Sequence, residues 1–378
     1  MKILHTSDWH LGKRLEGKSR LPEQERALDA LAALAAETHA DALVVAGDVF
    51  DTVNPPAEAE ALFYDACLRI GRTCPVIVIA GNHDNPERLS APDGIARACD
   101  IVLCGGLDCS QVKQPLSGGE GFVTLTKKEE RVHFALLPYP SPARMSQAGH
   151  VPDPEKSYAD NVREWLAMCA KAFTASDCNI TVSHLFMAGS VRASDEIELG
   201  TAALLPLDVL PAAHYTALGH VHKPQCVSRR GNVYYSGSLL PYTFDDDSDK
   251  FCNLVHTSPA GVTVEKVPLY AGKRLITQTV SGFDEAMAAL QQNADAYVRL
   301  LYDSAQPLSA AQYAELRGAE GFAVIRNVRM LPKSVQKASK TLSDRELFTA
   351  FYRTVYDGQT PDEEVLAMFE KGLRGEQL

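Results

Sequence analysis

Apolar residues in the first hundred positions recur with two spacings, one typical of strands and one typical of helices. Short apolar runs at 2–7, 42–46 and 75–80 predict buried strands. Apolar positions three and four residues apart over 22–39, and a similar stretch over 56–71, predict helices between them. This alternation is typical of a layered α/β domain.

After residue 100 the apolar runs become shorter and are separated by Gly and Pro, which favours antiparallel pairing. A helix is expected over 158–173. Further strands are predicted at 101–103, 121–126, 131–137, 179–183, 215–218, 233–235, 251–255 and 262–267. We expect the runs from 233 onward to complete a second sheet. The predicted fold class is therefore α/β, a four-layer sandwich with two central mixed sheets.

The pattern changes once more near residue 270. Strands and helices alternate within 271–331, which predicts a small separate α/β unit after a main domain at 1–270. Residues 332–341 have the composition of a linker. Residues 342–378 predict a hairpin of two capped amphipathic helices. Because two short helices cannot bury their own apolar stripes, they either dock on this chain or bind a partner.

Composition excludes several classes of protein. With 378 residues, 46% hydrophobic and 22% charged, the chain can bury a large core and is not disordered. No apolar run approaches the roughly 20 residues of a membrane span. The nine cysteines include no Cys-x-x-Cys pair, so neither a disulfide nor a zinc framework is expected. We expect a cytoplasmic protein with no membrane partner.

Five of the predicted strands end in metal-ligand side chains. These are Asp8 and His10, Asp48, Asn82, His184, and His220 with His222. Any one of these motifs is common by chance, but five of them in this order indicate a two-metal phosphoesterase centre. The apolar runs before Asp48 and Asn82 both end in a Gly, which lets the backbone turn sharply at the end of the strand.

Phosphodiester hydrolysis by two metals requires a carboxylate shared between the ions, and Asp48 is the predicted bridge. The predicted ligands of one ion are Asp8, His10, Asp48 and His222, and those of the other are Asp48, Asn82, His184 and His220. Mixed oxygen and imidazole ligands without thiolate suit two manganese ions, with magnesium as a second choice and with zinc or iron able to occupy the sites in vitro.

His83 follows the predicted ligand Asn82 directly, so its ring can face the substrate. We therefore predict that His83 is the general acid and that a carboxylate orients its other nitrogen. Asp51 is the favoured partner of His83. Asp84 is the alternative, unless it only holds its own turn through hydrogen bonds to the backbone.

The net charge of −11 is acidic for a protein that acts on a polyanion, but charge is distributed unevenly. Residues 11–20 carry four basic residues, Lys13, Arg14, Lys18 and Arg20, against one acidic residue. This segment either contacts phosphate, helped by the two cations, or is an ordinary solvated loop.

The motifs together resemble a known family. They are Thr-Ser-Asp-Trp-His-Leu-Gly at 6–12, Gly-Asp-Val-Phe-Asp-Thr at 47–52, Gly-Asn-His-Asp at 81–84, Gly-His-Val-His-Lys-Pro-Gln at 219–225 and Tyr-Ser-Gly-Ser at 235–238. The chain resembles the calcineurin-like metallophosphoesterases and, more narrowly and over nearly its whole length, the SbcD family of nuclease subunits. The relatives of this family in archaea and eukaryotes tend to have His in place of Asp51, so the role of Asp51 transfers less directly than the ligands do.

The resemblance implies a manganese-dependent exonuclease on double-stranded DNA ends and an endonuclease on single strands and hairpins, active in DNA end processing, repair and recombination. It implies a coiled-coil ATPase partner of the SbcC type and a homodimer of nuclease subunits within a heterotetramer. The unit at 271–331 would be a capping domain, and the hairpin would bind the coiled coil. The resemblance also favours DNA contact by the basic segment and by Arg88.

Two alternatives belong to other classes. A small-substrate enzyme of the same fold, such as a cyclic nucleotide phosphodiesterase, would share the ligands but would not need the cap and the hairpin. A non-catalytic scaffold would be expected to have lost ligands, and none is lost in this sequence.

Overall fold

The structure, a computed structural model, describes residues 1–191, 204–246, 248–258, 261–270, 272–304, 306–328, 344–355, 360–363, 365–366 and 368–369. The chain divides into two compact units. The first comprises Met1–Ile276 with Asp295–Tyr297, and the second comprises Thr277–Ala294 with Val298–Leu378.

The first unit alternates strands and helices much as the apolar pattern predicts. Its strands are β1 (Lys2–Thr6), β2 (Arg14–Leu15), β3 (Lys18–Ser19), β4 (Ala42–Ala46), β5 (Val76–Ile79), β6 (Ile101–Cys104), β7 (Leu116–Gly119), β8 (Phe122–Lys127), β9 (Glu130–Leu137), β10 (Cys178–His184), β11 (Tyr215–Gly219), β12 (Gln225–Ser228), β13 (Val233–Tyr235), β14 (Phe251–Ser258) and β15 (Gly261–Pro268). Its helices are α1 (Leu21–Glu37), α2 (Ala57–Gly71), α3 (Pro86–Ser90), α4 (Asp93–Ala96), α5 (Pro142–Gln147) and α6 (Tyr158–Cys169).

Two mixed sheets form the centre of the first unit. One has the order β15-β14-β1-β4-β5-β6, in which β1, β4, β5 and β6 run parallel. The other has the order β12-β13-β11-β10-β9-β8-β7, in which β13, β11, β10 and β9 run parallel. Strands β2 and β3 form a separate short hairpin just after β1.

The prediction that the runs at 251–255 and 262–267 belong to the second sheet was wrong. Strand β14 pairs antiparallel with β1 of the first sheet, with Ile3 opposite Val255, and β15 follows β14 as a hairpin. An apolar run of this length is compatible with either sheet, because its period specifies a buried strand and not the neighbour with which it pairs.

Three apolar layers hold the sandwich together. Helices α1 and α2 pack on the outer face of the first sheet, with Leu28 and Phe63 fully buried against it. The facing surfaces of the two sheets meet in a second cluster that includes Val44 and Val182. Helix α6 covers the outer face of the second sheet through residues such as Trp165. The predicted four-layer α/β sandwich with two central mixed sheets is confirmed.

The second unit is built around a three-stranded sheet in the order β16 (Leu275–Val280), β17 (Tyr297–Tyr302) and β18 (Phe322–Asn327). Helices α7 (Phe283–Gln292) and α8 (Ala310–Gly318) pack on it around Leu290, Leu300 and Leu316. Domain boundaries at 270 and 331 stay predictions, as does the role of this unit as a cap.

The predicted linker at 332–341 lies outside the described residues, and the predicted hairpin at 342–378 is described only in part. Its first helix is α9 (Asp344–Val355). The ring of Phe348 stacks on that of Phe369 at 4.1 Å, and Arg345 pairs with Glu363 at 2.6 Å. Within the described residues, none of the helices has the length and apolar character needed to cross a membrane.

Candidate metal centre

The predicted ligands converge at the carboxyl ends of β1, β4, β5, β10 and β11. Three overlapping groups of carboxylate and imidazole atoms each lie within 4.8 Å of one another: Asp8, His10 and His222; His10, Asp48 and His83; and Asp8, Asp48 and His184. Asn82 and His220 join them through hydrogen bonds. Because parallel strands end at the same edge of a sheet, the two sheets deliver all five motifs to one place.

The backbone at this edge is strained at four of the predicted ligands. The φ angles of Asp8 (52°), His10 (44°), Asp48 (50°) and His220 (101°) are all positive. Such a conformation costs a non-glycine residue about 1–2 kcal/mol. Main-chain hydrogen bonds of 3.0 Å from Asp8 N to Gly47 O and from His10 N to Asp48 O hold the first two turns in place.

Three glycines allow the strand ends to approach one another. A Cβ atom on Gly81 would lie 2.1 Å from Asp48 Oδ1, and one on Gly47 would lie 2.5 Å from His184 Nδ1. A Cβ on Gly219 would lie 2.7 Å from the same His184 nitrogen. Each distance is below van der Waals contact, so only glycine fits at these positions.

On one side of the centre two imidazoles face each other. His10 Nε2 lies 3.0 Å from His222 Nε2 and 3.6 Å from Asp48 Oδ2. Two nitrogens at this distance can share at most one proton, and a metal cation coordinated by both could take the place of that proton. Burial is the main reason that the pKa of His222 lies well below its ordinary value, which keeps this ring neutral and able to bind a metal.

On the other side, Asn82 Oδ1 lies 2.9 Å from both His184 Nε2 and His220 Nδ1. His184 Nδ1 is placed to donate to the carbonyl of Ala46 at 2.8 Å, which leaves Nε2 as the nitrogen that faces the centre. Burial opposes protonation of His184, but the charges of Asp48 and Asp8 outweigh it and raise its pKa to about 9. The same negative field would attract a metal cation, so the donor set fits the predicted ions.

His83 contacts the predicted partner, Asp51, but through the main chain. Its Nδ1 lies 2.8 Å from the carbonyl oxygen of Asp51. The Asp51 carboxylate instead pairs with Lys13 at 2.7 Å and lies 3.4 Å from His10 Nδ1. Although burial opposes it, these two neighbours lower the pKa of Asp51 to about 2. The predicted orientation of His83 by the Asp51 carboxylate is therefore corrected to orientation by its carbonyl.

Asp84, the alternative partner, is fully buried and holds two loops together. Its carboxylate accepts hydrogen bonds from the main-chain N–H groups of Val49 (3.1 Å), Phe50 (2.9 Å) and Gly81 (2.8 Å). This is the turn-holding role that the sequence left open for it.

Several residues that support the centre were missed from the sequence. Gln24 on α1 is fully buried and donates to the carbonyl of His10 at 2.7 Å, while Tyr242 donates to the carbonyl of Trp9. Lys250 is almost fully buried and donates to the carbonyl of His222 at 3.1 Å. Gln24 had a signal, since it and Glu23 are polar residues among the buried positions of α1, which are otherwise apolar.

The predicted DNA contacts fall into two groups. Arg14 and Arg88 are exposed, Arg14 on the β2–β3 hairpin and Arg88 on α3, and the side chains of Lys13 and Lys18 are partly exposed. The prediction for Arg20 is corrected. Arg20 is fully buried and its guanidinium is engaged by Glu23 at 2.6 Å and by the carbonyl of Pro241 at 2.9 Å, so it cannot reach a phosphate.

Comparison with known proteins gives a consistent result. Residues 1–224 match the calcineurin-like phosphoesterase family. The SbcD component of the nuclease SbcCD from Bacillus subtilis strain 168 is 36% identical, over 98% of this chain and 97% of its own length. The SbcD components from Rhodobacter capsulatus and Escherichia coli K12 are 31% and 32% identical, covering 77% and 68% of this chain and 76% and 64% of their own lengths.

Among solved structures, GAP50, the anchor in the inner membrane complex of Plasmodium, aligns with 71% of this chain and 84% of its own. Its sequence identity is 13% and its TM-score is 0.38, a likeness too weak to inform function.

Proposed function

Because the chain belongs to the calcineurin-like phosphoesterases and, within them, to the SbcD family of nuclease subunits, we propose that it hydrolyses DNA phosphodiesters with a pair of divalent cations. We propose double-strand exonuclease activity together with endonuclease activity on single strands and hairpins. The biological setting of this proposal is DNA end processing in repair and recombination.

The proposal of two metals rests on the position of one carboxylate oxygen. Asp48 Oδ2 lies 3.6 Å from His10 Nε2 and 3.4 Å from His184 Nε2, and these rings belong to opposite sides of the centre. A carboxylate with an imidazole on either side is what a bridging ligand requires. The proposed division of ligands is that of the sequence: Asp8, His10, Asp48 and His222 for one ion, and Asp48, Asn82, His184 and His220 for the other.

When bound, such ions would supply Lewis acidity at the phosphoryl oxygens. Oxygen and imidazole donors without a thiolate favour manganese, with magnesium as the second choice. Acidic residues of the chain would attract these cations electrostatically. Two buried carboxylates, Asp8 and Asp48, face the same centre, and the burial of each makes an uncompensated charge costly.

His83 is the proposed general acid. With Nδ1 held by the Asp51 carbonyl, Nε2 is the nitrogen available to donate a proton to the leaving oxygen. The ring lies 4.9 Å from that of His10, so it is beside the ligands. The Asp51 carboxylate pairs with Lys13 at 2.7 Å, so the main-chain carbonyl of Asp51 and not its carboxylate orients His83.

The SbcD relatives are components of the SbcCD nuclease, and on this basis we propose an SbcC-type coiled-coil ATPase as partner, with two nuclease subunits in a heterotetramer. The proposed contact is the hairpin at 342–378. Truncation after Lys340 should leave metal-dependent phosphodiesterase activity while abolishing binding to the ATPase in a pull-down. Retained co-purification would exclude the hairpin as the binding segment.

The function is tested with purified protein and Mn²⁺ on end-labelled linear DNA, with and without the ATPase, beside His83→Ala and a chelator control. We expect cleavage that needs the metal and His83. Efficient cleavage of a cyclic nucleotide with none of DNA would instead favour a small-substrate phosphodiesterase.

A further inference from the structure

We propose that Arg144 is a positioning residue for this centre, which sets the loop carrying Asn82 and His83. The proposal rests on the proposed function for its reaction, but its structural basis is independent. The guanidinium of Arg144 donates to three main-chain carbonyls of the same loop: those of Gly81 at 2.6 Å, Asn82 at 3.2 Å and Asp84 at 2.6 Å. None of the five strand-end motifs contains Arg144.

Arg144 reaches the loop from a sixth strand end. Strand β9 runs parallel to β10, so both end at the edge where the centre lies. After β9, Tyr139 N donates to the carbonyl of Ala80 at 2.9 Å and so ties this segment to the end of β5. Ser141 then caps α5 by accepting from Arg144 N at 3.3 Å, which fixes the start of the arginine side chain.

The contact suits the guanidinium of arginine better than the ammonium of lysine. A guanidinium presents five N–H groups in a rigid plane, whereas a lysine ammonium is a compact point charge that cannot span three carbonyls in this arrangement. The guanidinium of Arg144 also lies 5.4 Å from the centre of the Tyr139 ring. That ring is nearly parallel to the ring of His220, at 6.5 Å, and edge-on to His184, at 6.3 Å. Arg144 thus contacts the loop that carries His83, and Tyr139 beside it contacts the rings of His184 and His220.

The loop is held from two other directions, and neither replaces Arg144. The Asp84 carboxylate accepts from Gly81 N at 2.8 Å, and Asp48 Oδ1 accepts from His83 N at 2.8 Å. Both contacts use N–H groups, whereas Arg144 binds the carbonyl oxygens. Without the guanidinium these oxygens lose their charge-assisted hydrogen bonds, and the peptide planes that orient the Asn82 and His83 side chains are free to rotate.

The fold should survive the loss of Arg144. The residue is only partly buried and lines a cavity of about 610 Å³ together with Pro86, Arg97 and Gln147. Because the Arg144 side chain borders this cavity, shortening it enlarges a space that water can enter and does not create a dry void. The expected defect is therefore local and lies in the loop.

The test compares Arg144→Met and Arg144→Lys with wild type. The matched control is Arg163→Met, which removes an arginine that pairs with the carboxylates of Asp160 and Asp208 outside the centre. The first readout is hydrogen exchange of peptides covering 80–86 in metal-free protein. The second is Mn²⁺ binding by calorimetry, and the third is kcat and KM for a labelled DNA duplex.

For Arg144→Met we expect faster exchange confined to 80–86, and a loss of about 10- to 100-fold in Mn²⁺ affinity or kcat, as for other residues that orient metal ligands. The KM should stay within about twofold of wild type, because the guanidinium of Arg144 is engaged by the loop carbonyls and is not a proposed substrate contact. Arg144→Lys should recover part of each loss, and Arg163→Met should match wild type in all three measurements.

Two results would overturn the proposal. The first is hydrogen exchange and Mn²⁺ affinity in Arg144→Met that equal those of wild type. The second is faster exchange across the whole domain, which would mean that Arg144 only stabilises the fold. The first two readouts need no nuclease activity. If wild type fails to cleave DNA while Arg144→Met still loosens the loop and weakens Mn²⁺ binding, the proposed function is wrong and the positioning role stands. If wild type cleaves DNA and Arg144→Met is unaffected, only the positioning role fails.

Discussion

Replacing Gly81 with Ala is expected to disable the metal centre through a single methyl group. The added Cβ would lie 2.1 Å from Asp48 Oδ1 and 2.2 Å from Asp48 N. Ordinary contact begins near 3.4 Å, so the methyl group falls about 1.3 Å short of the space it needs. Because one of the two clashes is with the main chain, rotation of the Asp48 side chain cannot relieve the overlap.

The displacement affects the residue on which both sides of the centre depend. A shift of about 1 Å in a positioned group can cost about 10²-fold in rate. The methyl group would also disturb the 2.8 Å hydrogen bond from His83 N to Asp48 Oδ1. We therefore expect kcat/KM to fall by at least about 100-fold, with weaker Mn²⁺ binding and a loss of about 1–3 kcal/mol in unfolding free energy from overpacking.

The matched control is Gly94→Ala, at which a Cβ would have no neighbour within 4 Å. Gly94 lies in α4, where Ala is favoured over Gly by up to about 1 kcal/mol. The control should keep wild-type turnover and unfold at the same or a slightly higher temperature. The measurements are Mn²⁺ titration by calorimetry, turnover of a DNA duplex and thermal unfolding by circular dichroism. Wild-type Mn²⁺ affinity and turnover in Gly81→Ala would refute the assignment of Asp48 as the shared ligand.

Three further predictions concern single features. In His83→Ala, kcat should fall by about 10²- to 10⁴-fold while Mn²⁺ affinity stays within about twofold of wild type, as for a general acid. The ring of His83 lies within 4.8 Å of potential ligand atoms of His10 and Asp48, so a loss of Mn²⁺ affinity above tenfold in calorimetry would make His83 a ligand instead. Substituting both Arg14 and Lys18 with Ala should reduce the slope of log affinity for duplex DNA against log salt concentration by about 2, because each phosphate contact contributes about 0.9. The affinity is measured by fluorescence anisotropy with Ca²⁺, and an unchanged slope would show that this hairpin does not bind DNA. His5 is fully buried, and burial lowers its pKa from 6.5 to about 3. Below pH 6.5 the unfolded chain therefore binds more protons than the folded chain, and the free energy of unfolding should fall by about 1.6 kcal/mol between pH 6.5 and 5. Urea unfolding of His5→Gln should lack this part of the pH dependence, and equal slopes in variant and wild type would show that His5 does not cause it.

Much of the candidate centre could be predicted because its proposed ligands follow strand ends. The run before Asp48 and the run before Asn82 each end in Gly, and this pattern is visible without a structure. Once the runs are recognised as strands of a layered domain, their carboxyl ends must converge, and the ligand types then indicate the chemistry. The four-layer arrangement follows for the same reason, since fully apolar runs require cover on both faces.

What the sequence could not provide was the direction of individual polar groups. Arg20 counts as a surface charge by residue type, yet Glu23 three residues later on the same turn draws its guanidinium inside. The sequence suggested the Asp51 carboxylate as the partner of His83, but the main-chain carbonyl of Asp51 makes the contact while its carboxylate pairs with Lys13. Arg144 follows a strand whose neighbour could not be assigned from its period alone.

The geometry of the centre destabilises the folded chain, and this explains why buried polar residues surround it. Four of the proposed ligands have positive φ angles, the two buried carboxylates of Asp8 and Asp48 repel each other, and three glycines leave strand ends without side chains to pack. None of these features stabilises the chain by itself. Gln24, Asp84, Lys250 and Arg144 each hold main-chain atoms next to the ligands, and none is among the proposed ligands. The conformation proposed to bind cations is thus held by the polar residues around it, so substitutions of these residues should affect metal binding before they affect the fold.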